Sequence, residues 1–303
     1  MRILLTGATG FIGSHVARLL LLLDHEVHAV VRPTSSRRRI EDLADRLRFV
    51  PVDLEDRRSL RAAVTAIKPE LCLHLAWYAE PGKYLTSPIN LDCIAWSLAL
   101  ARELQEAGCS RLVCAGTCFE YEFGAAPLTE ASPTRPATLY AWCKLALLHS
   151  LQAFAGQSGL SLAWLRFFYL YGPWEDERRL VPVVIQRLLR NESVDLTTGE
   201  QVRDYVHVED AAAAVVAAAT SSLSGCVNIC TGQPTTIRMM AETIGRELKR
   251  PELIRIGARA NDPNDPPIIR GDSRKLQQAT GWRQQICLDS GLKRTMEWWR
   301  GRS

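Results

Sequence analysis

The sequence predicts an α/β fold, a doubly wound parallel sheet joined to a smaller C-terminal lobe. Two observations carry this. Short apolar runs alternate with helical patterns as far as about residue 170, and such alternation builds a parallel sheet covered by helices on both faces. The first apolar run opens directly into a glycine-rich turn and then a helix, which is the start of a βαβ unit.

Residues 2–6 (RILLT) read as the first strand, 11–23 as a helix and 26–31 as the second strand. Strands follow at 48–52, 71–76, 111–115 and 161–168, with helices at 57–67, 90–107 and 137–155. The rhythm changes after about Tyr171, where Pro173, the charged stretch 175–179 and Gly199 interrupt it. Helices at 209–219, 237–248 and 288–300 and a strand at 226–229 remain. The stretch 261–267 is proline-rich and reads as a loop. The expected organisation is a cofactor domain at 1–170 and a substrate-side lobe at 171–303, interleaved with it.

Composition narrows the function classes. The 303 residues are 47% hydrophobic and 23% charged, with net charge +4. That is an ordinary globular balance and gives no reason to expect nucleic acid as a partner. No apolar run approaches the ~20 residues of a membrane span. The N-terminus reads as a strand rather than a secretory signal. Nine cysteines lie mostly in apolar runs without a C-x-x-C pair, so buried, reduced thiols in a cytoplasmic protein are expected, and no metal site.

The turn is Gly7-Ala8-Thr9-Gly10-Phe11-Ile12-Gly13. The first glycine permits a tight turn, the second a close backbone approach to a pyrophosphate, and the third close packing of helix on strand. The helix N-terminus offers free N–H groups to the phosphates. A Rossmann-type dinucleotide site follows from this, with Leu75 and Ala76 at the end of the fourth strand also against the cofactor. An acidic residue ending the second strand would hold the ribose 2′-hydroxyl of NAD. Here Arg32 stands there, followed by Ser35 and Arg37. These residues favour NADP(H), with NAD(H) as the alternative. Asp53, with Leu54 beside it, is placed to accept from the adenine amino group or to cap a helix.

Tyr140 and Lys144 are four residues apart on one helix, so they share a face. An ammonium beside a phenol lowers its pKa, and the phenol then exchanges a proton with a substrate oxygen. Thr117, past the fifth strand, is placed to hold that oxygen. His74 and His207 read as structural. Trp77, Tyr78 and Tyr84 follow the fourth strand and suit either stacking on a substrate or filling the core.

These motifs, with His74-Leu75-Ala76, Asn90, Arg166, Tyr171-Gly172-Pro173 and the run from Arg203 to Asp210, resemble the extended short-chain dehydrogenase/reductases that include nucleotide-sugar epimerases, dehydratases and 4-ketoreductases. The resemblance implies Thr117, Tyr140 and Lys144 as catalytic residues. It implies a nucleotide-sugar substrate against Trp77, Cys118 and Tyr169, with Arg203 and Arg259 on its phosphates. It also implies a homodimer through the helices at 90–107 and 137–155, which are apolar on more than one face. Dehydratases of the group carry Asp-Glu after the threonine. Cys118-Phe119 stand here, which excludes 4,6-dehydration. Many relatives also have Asn where Tyr169 stands. With Arg32 as discriminator, the first reading is an NADPH-dependent keto-sugar reductase. An NAD-dependent nucleotide-sugar epimerase is the alternative, and a non-catalytic nucleotide sensor comes last.

Overall fold

The computed structural model describes residues 1–302. The chain enters as β1 (Arg2–Thr6), α1 (Phe11–Leu22) and β2 (Glu26–Val30). It continues through β3 (Arg48–Val50), α2 (Arg57–Ile67), β4 (Leu71–His74) and α3 (Ile89–Glu106). Then come β5 (Arg111–Thr117), α4 (Leu139–Ser158) and β6 (Ser161–Phe167). Helix boundaries follow local chemistry. α4 begins at Leu139 because the Thr138 hydroxyl accepts the Ala141 N–H at 3.3 Å, and it stops where Gly159 takes φ +72°. Asp56 caps α2 by accepting the Ser59 N–H at 3.1 Å.

Beyond β6 lie β7 (Tyr169–Tyr171), α5 (Leu180–Leu189), β8 (Val194–Asp195), β9 (Val202–His207), α6 (Val208–Thr220) and β10 (Gly225–Ile229). The chain ends through β11 (Pro234–Thr236), α7 (Ile237–Glu247), β12 (Ile254–Arg255), β13 (Ile268–Ile269), α8 (Arg274–Thr280) and α9 (Leu288–Arg300).

Seven parallel strands form the main sheet in the order β10-β6-β5-β4-β1-β2-β3. Successive side chains of a strand point to opposite faces. Leu112 and Cys114 of β5 therefore pack with Leu100, Leu104 and Leu148 of α3 and α4. Val113 joins Val16 and Leu20 of α1 and Val215 of α6 on the other face. The strand order reverses between β1 and β4, and a doubly wound sheet binds ligands at the carboxyl ends of its strands beside such a reversal. A smaller sheet, β11-β9-β13 with β7 on β9, supports the second lobe. That lobe has its own core of Val184, Ile185, Met240, Ile244 and Leu292.

The structure departs from the sequence reading in three places. The main sheet does not end near residue 170, because β10 returns to its edge and pairs with β6. The segment after the charged stretch forms α5, with Pro182 in its first turn, where a missing N–H breaks no helical bond. The motif from Arg203 to Asp210 splits into a strand and a helix start, capped by His207 Nδ1 on the Glu209 N–H at 3.4 Å. Cys287 is exposed, unlike the other cysteines. Among the described residues, no helix is long and apolar enough to cross a membrane.

Candidate active site

A cleft of about 1290 Å³ opens at the carboxyl ends of β1, β4 and β5, between the two lobes. At one end is the glycine turn. Gly7 has φ +76°, and a Cβ there would stand 2.7 Å from the Ala76 nitrogen. A Cβ on Gly13 would stand 2.0 Å from the Gly7 carbonyl oxygen. Gly10 caps α1 without a side chain. The first-turn N–H groups at Phe11, Ile12 and Gly13 therefore keep no side-chain acceptor, and these residues line the cleft with Gly7, Thr9 and Gly10. Uncapped N–H groups and a backbone bare of Cβ atoms fit a dinucleotide pyrophosphate.

Along the same wall lie Leu75 and Ala76, then Asp53 and Leu54, with Arg32 and Ser35 at the rim. Arg37 is not among them. Its guanidinium sits 4.6 Å over the Phe49 ring, where a stacked cation recovers some of its desolvation. Arg39 reaches inward instead and donates to the Thr9 and Trp174 carbonyls at 3.3 and 3.0 Å.

Tyr140, Lys144 and Thr117 meet in the middle of the cleft. Thr117 ends β5, its hydroxyl accepts the Phe119 N–H at 3.3 Å, and it acts on the Tyr140 phenol. Lys144 Nζ donates to the Ala115 carbonyl at 2.7 Å and stands 3.7 Å over the Trp77 ring. Burial pushes the amine down to about 8 and, with Tyr84 beside it, pushes the Tyr140 phenol above its ordinary range. Burial opposes the expected lowering of the phenol by the lysine, because it disfavours the charged form of both groups.

Trp77 and Tyr84 frame this pair. The Tyr84 ring meets Tyr140 edge-on at 4.9 Å. Trp77 Nε1 donates to Asn90 Oδ1 at 2.8 Å, and Asn90 in turn holds the Tyr84 and Ser87 carbonyls. His74 is structural. The Ala76 N–H occupies Thr6 Oγ1 at 3.2 Å, leaving the threonine proton for His74 Nδ1 at 2.8 Å. His74 Nε2 then donates to Ser97, whose hydroxyl donates to the Cys93 carbonyl. Burial holds this histidine neutral, at about 3.

At the far end, Cys118, Tyr169 and Arg203 line the cleft. Arg203 is buried, satisfied by the Val202 and Pro266 carbonyls and by Asp265, with Tyr169 5.4 Å away. Arg259 is not in the cleft. It lies on an exposed loop whose N–H at this residue bonds the Leu196 carbonyl. Glu175, Arg179, Tyr205 and Asp265 complete this wall. The sequence reading gave none of them a site role: Tyr205 stands in the run from Arg203 to Asp210, and the others lie in the charged stretch 175–179 and the proline-rich loop 261–267.

Residues 3–230 match the NAD dependent epimerase/dehydratase family. The chain belongs to this family. It is 29% identical over 326 residues to UDP-glucose 4-epimerase of Mycolicibacterium smegmatis, covering 100% of both chains. With the dTDP-6-deoxy-L-talose 4-dehydrogenase (NAD(+)) of Aggregatibacter actinomycetemcomitans it shares 28% identity, over 80% of this chain and 88% of that one. Among solved structures, the Thermus thermophilus UDP-glucose 4-epimerase complex with NAD superimposes with TM-score 0.88 at 28% identity, covering 100% of both. The Thermotoga maritima UDP-glucose 4-epimerase with UDP-glucose gives 0.88 at 26%, over 100% of this chain and 99% of that one. As a member of the epimerase/dehydratase family, the chain is an NAD-dependent enzyme of the extended short-chain dehydrogenase type.

Proposed function

We propose that this enzyme is an NAD(H)-dependent nucleotide-sugar epimerase that oxidises and re-reduces one carbinol carbon of its substrate. The observation that carries the reading is the chemistry beside Thr117. Tyr140 is placed to exchange a proton there, and the neighbouring positions hold Cys118 and Phe119. Burial raises the Cys118 thiol far above its usual range, so it supplies neither the acid nor the base that water elimination needs. The epimerase names among the relatives support this order of readings over the keto-sugar reductase. The bound cofactor supplies a hydride acceptor and donor. Tyr140 moves the proton at the substrate oxygen, Thr117 holds that oxygen, and Lys144, fixed by Ala115 and Trp77, is proposed to hold the nicotinamide ribose. Arg203 is proposed to meet the nucleotide diphosphate once Asp265 yields.

Arg32 keeps the NADPH-dependent reductase alive as a second reading, since it lines the cleft rim at the end of β2. One experiment separates them. Incubation with UDP-glucose should yield UDP-galactose with no net change at the nicotinamide band, and NAD should be released from the denatured protein. Stoichiometric consumption of NADPH with a 4-keto nucleotide sugar would replace the epimerase by the reductase. A homodimer through α3 and α4 is proposed as well, because Leu91 and Trp142 on these helices are each 55% exposed. A monomer in light scattering at micromolar concentration counts against it.

A further inference from the structure

Glu175 lines the cleft wall yet is only 8% exposed, and its Oε2 is enclosed without a hydrogen-bond partner. Glu120 shows what a structural buried carboxylate looks like here. Its Oε1 accepts from the Thr117 N–H and Trp164 Nε1, and its Oε2 from Arg166. Among the described residues, only the Gly172 backbone N–H acts on the Glu175 carboxyl as a donor, and no hydrogen bond reaches its Oε2. Arg179 and Asp176 act on it from its own loop and Tyr205 from β9, but the Arg179 guanidinium lies over the Tyr84 ring. Burial drives the Glu175 carboxyl well above the ordinary carboxylate range, which favours the protonated form, and that form both donates and accepts.

The backbone around it is held under strain. Trp174 has φ +71°, a left-handed conformation costly for a bulky residue and found mostly where function requires it. Three contacts keep it there: Arg39 on its carbonyl at 3.0 Å, Arg302 3.8 Å over its ring, and Trp298 edge-on at 5.0 Å. Arg39 also holds Thr9 of the glycine turn, whereas the Tyr205 ring packs tilted against Tyr169, 5.7 Å between centroids, at the opposite end. Glu175 therefore stands where the cofactor end and the substrate end of the cleft meet.

The geometry points to Glu175 as a specificity-determining residue whose free oxygen exchanges a hydrogen bond with a hydroxyl of the bound sugar. This rests on the nucleotide-sugar reading above. A hydroxyl matches the site because it also donates and accepts, and an unmade bond to a buried carboxyl is costly. The same cost rejects sugars that lack the group.

The test is calorimetric titration of UDP-glucose, dTDP-glucose, the two free nucleoside diphosphates and NAD into wild type, Glu175→Gln, Glu175→Asp and Glu175→Leu. Leu removes the polar atoms, Asp withdraws them by one methylene, and Gln keeps a donor and an acceptor. Nucleotide-sugar binding should weaken about tenfold to a hundredfold in Leu and Asp and stay within roughly threefold in Gln. The free diphosphates and NAD should bind all four proteins alike. Unchanged nucleotide-sugar affinity in Leu and Asp overturns the assignment, as does a parallel loss of diphosphate or NAD affinity. Should Leu not fold, as judged by its melting temperature, Asp and Gln decide. A wild type that binds NAD but neither nucleotide sugar refutes the nucleotide-sugar reading itself, before any variant is compared.

Discussion

The two ends of the cleft are built by different means. The cofactor end is made of backbone: Gly7, Gly10 and Gly13 within one turn, and the uncapped first N–H groups of α1. The substrate end is made of side chains held by other side chains, such as Arg203 by Asp265 and Tyr169 by Tyr205. Backbone geometry follows from residue type at short spacing, so it tolerates no added atom. Side-chain geometry depends on segments far apart in the chain, so it can be retuned one residue at a time.

Substitutions at each end, and at the pair between them, probe this contrast. Tyr140→Phe removes the proton donor that both ends serve. Turnover should fall roughly 10²–10⁴-fold, while NAD titration stays near wild type. Full activity across the pH range would remove Tyr140 from the mechanism. Gly13→Ala tests the backbone end. Its Cβ would meet the Gly7 carbonyl, and overpacking of this kind costs about 1–3 kcal/mol, so both melting temperature and NAD affinity should drop. If thermal melts and NAD binding are unaltered, the turn is not the close-packed element described.

At the side-chain end, Arg203→Lys replaces a planar fork by a point charge. We expect about tenfold weaker binding of UDP, with NAD affinity unchanged. Equal losses for both ligands would mean that the two ends are not independent.

The smallest expected effect is on stability in mild acid. Burial lowers His15 and His207 to about 4 and His74 to about 3. Below their usual value near 6.5 the unfolded chain takes up protons that the folded chain does not, so stability falls as pH drops from about 6.5 toward 4. Each histidine contributes about 1.4 kcal/mol per pH unit across that window. His74→Gln should flatten the decline of melting temperature with pH, because it removes one of the lowered histidines. An unaltered slope would show that other groups govern it.

The sequence by itself determined the alternating strands and helices, the glycine turn, and the shared helix face of Tyr140 and Lys144. Each is a local pattern whose physics is complete within a few residues. It did not determine that β10 would close the edge of the main sheet, because strand pairing across some sixty residues leaves no local mark. Nor did it reveal how deeply the catalytic pair is buried. Spacing puts Lys144 and Tyr140 on one face, but only packing buries both and sets the amine against Ala115 and Trp77, where burial disfavours their charged forms. Arg37 and Arg259 went astray for the same reason. A charge in a sequence has no direction until the surrounding fold gives it one, and here only the tertiary structure turned Arg39 and Glu175 into the cleft.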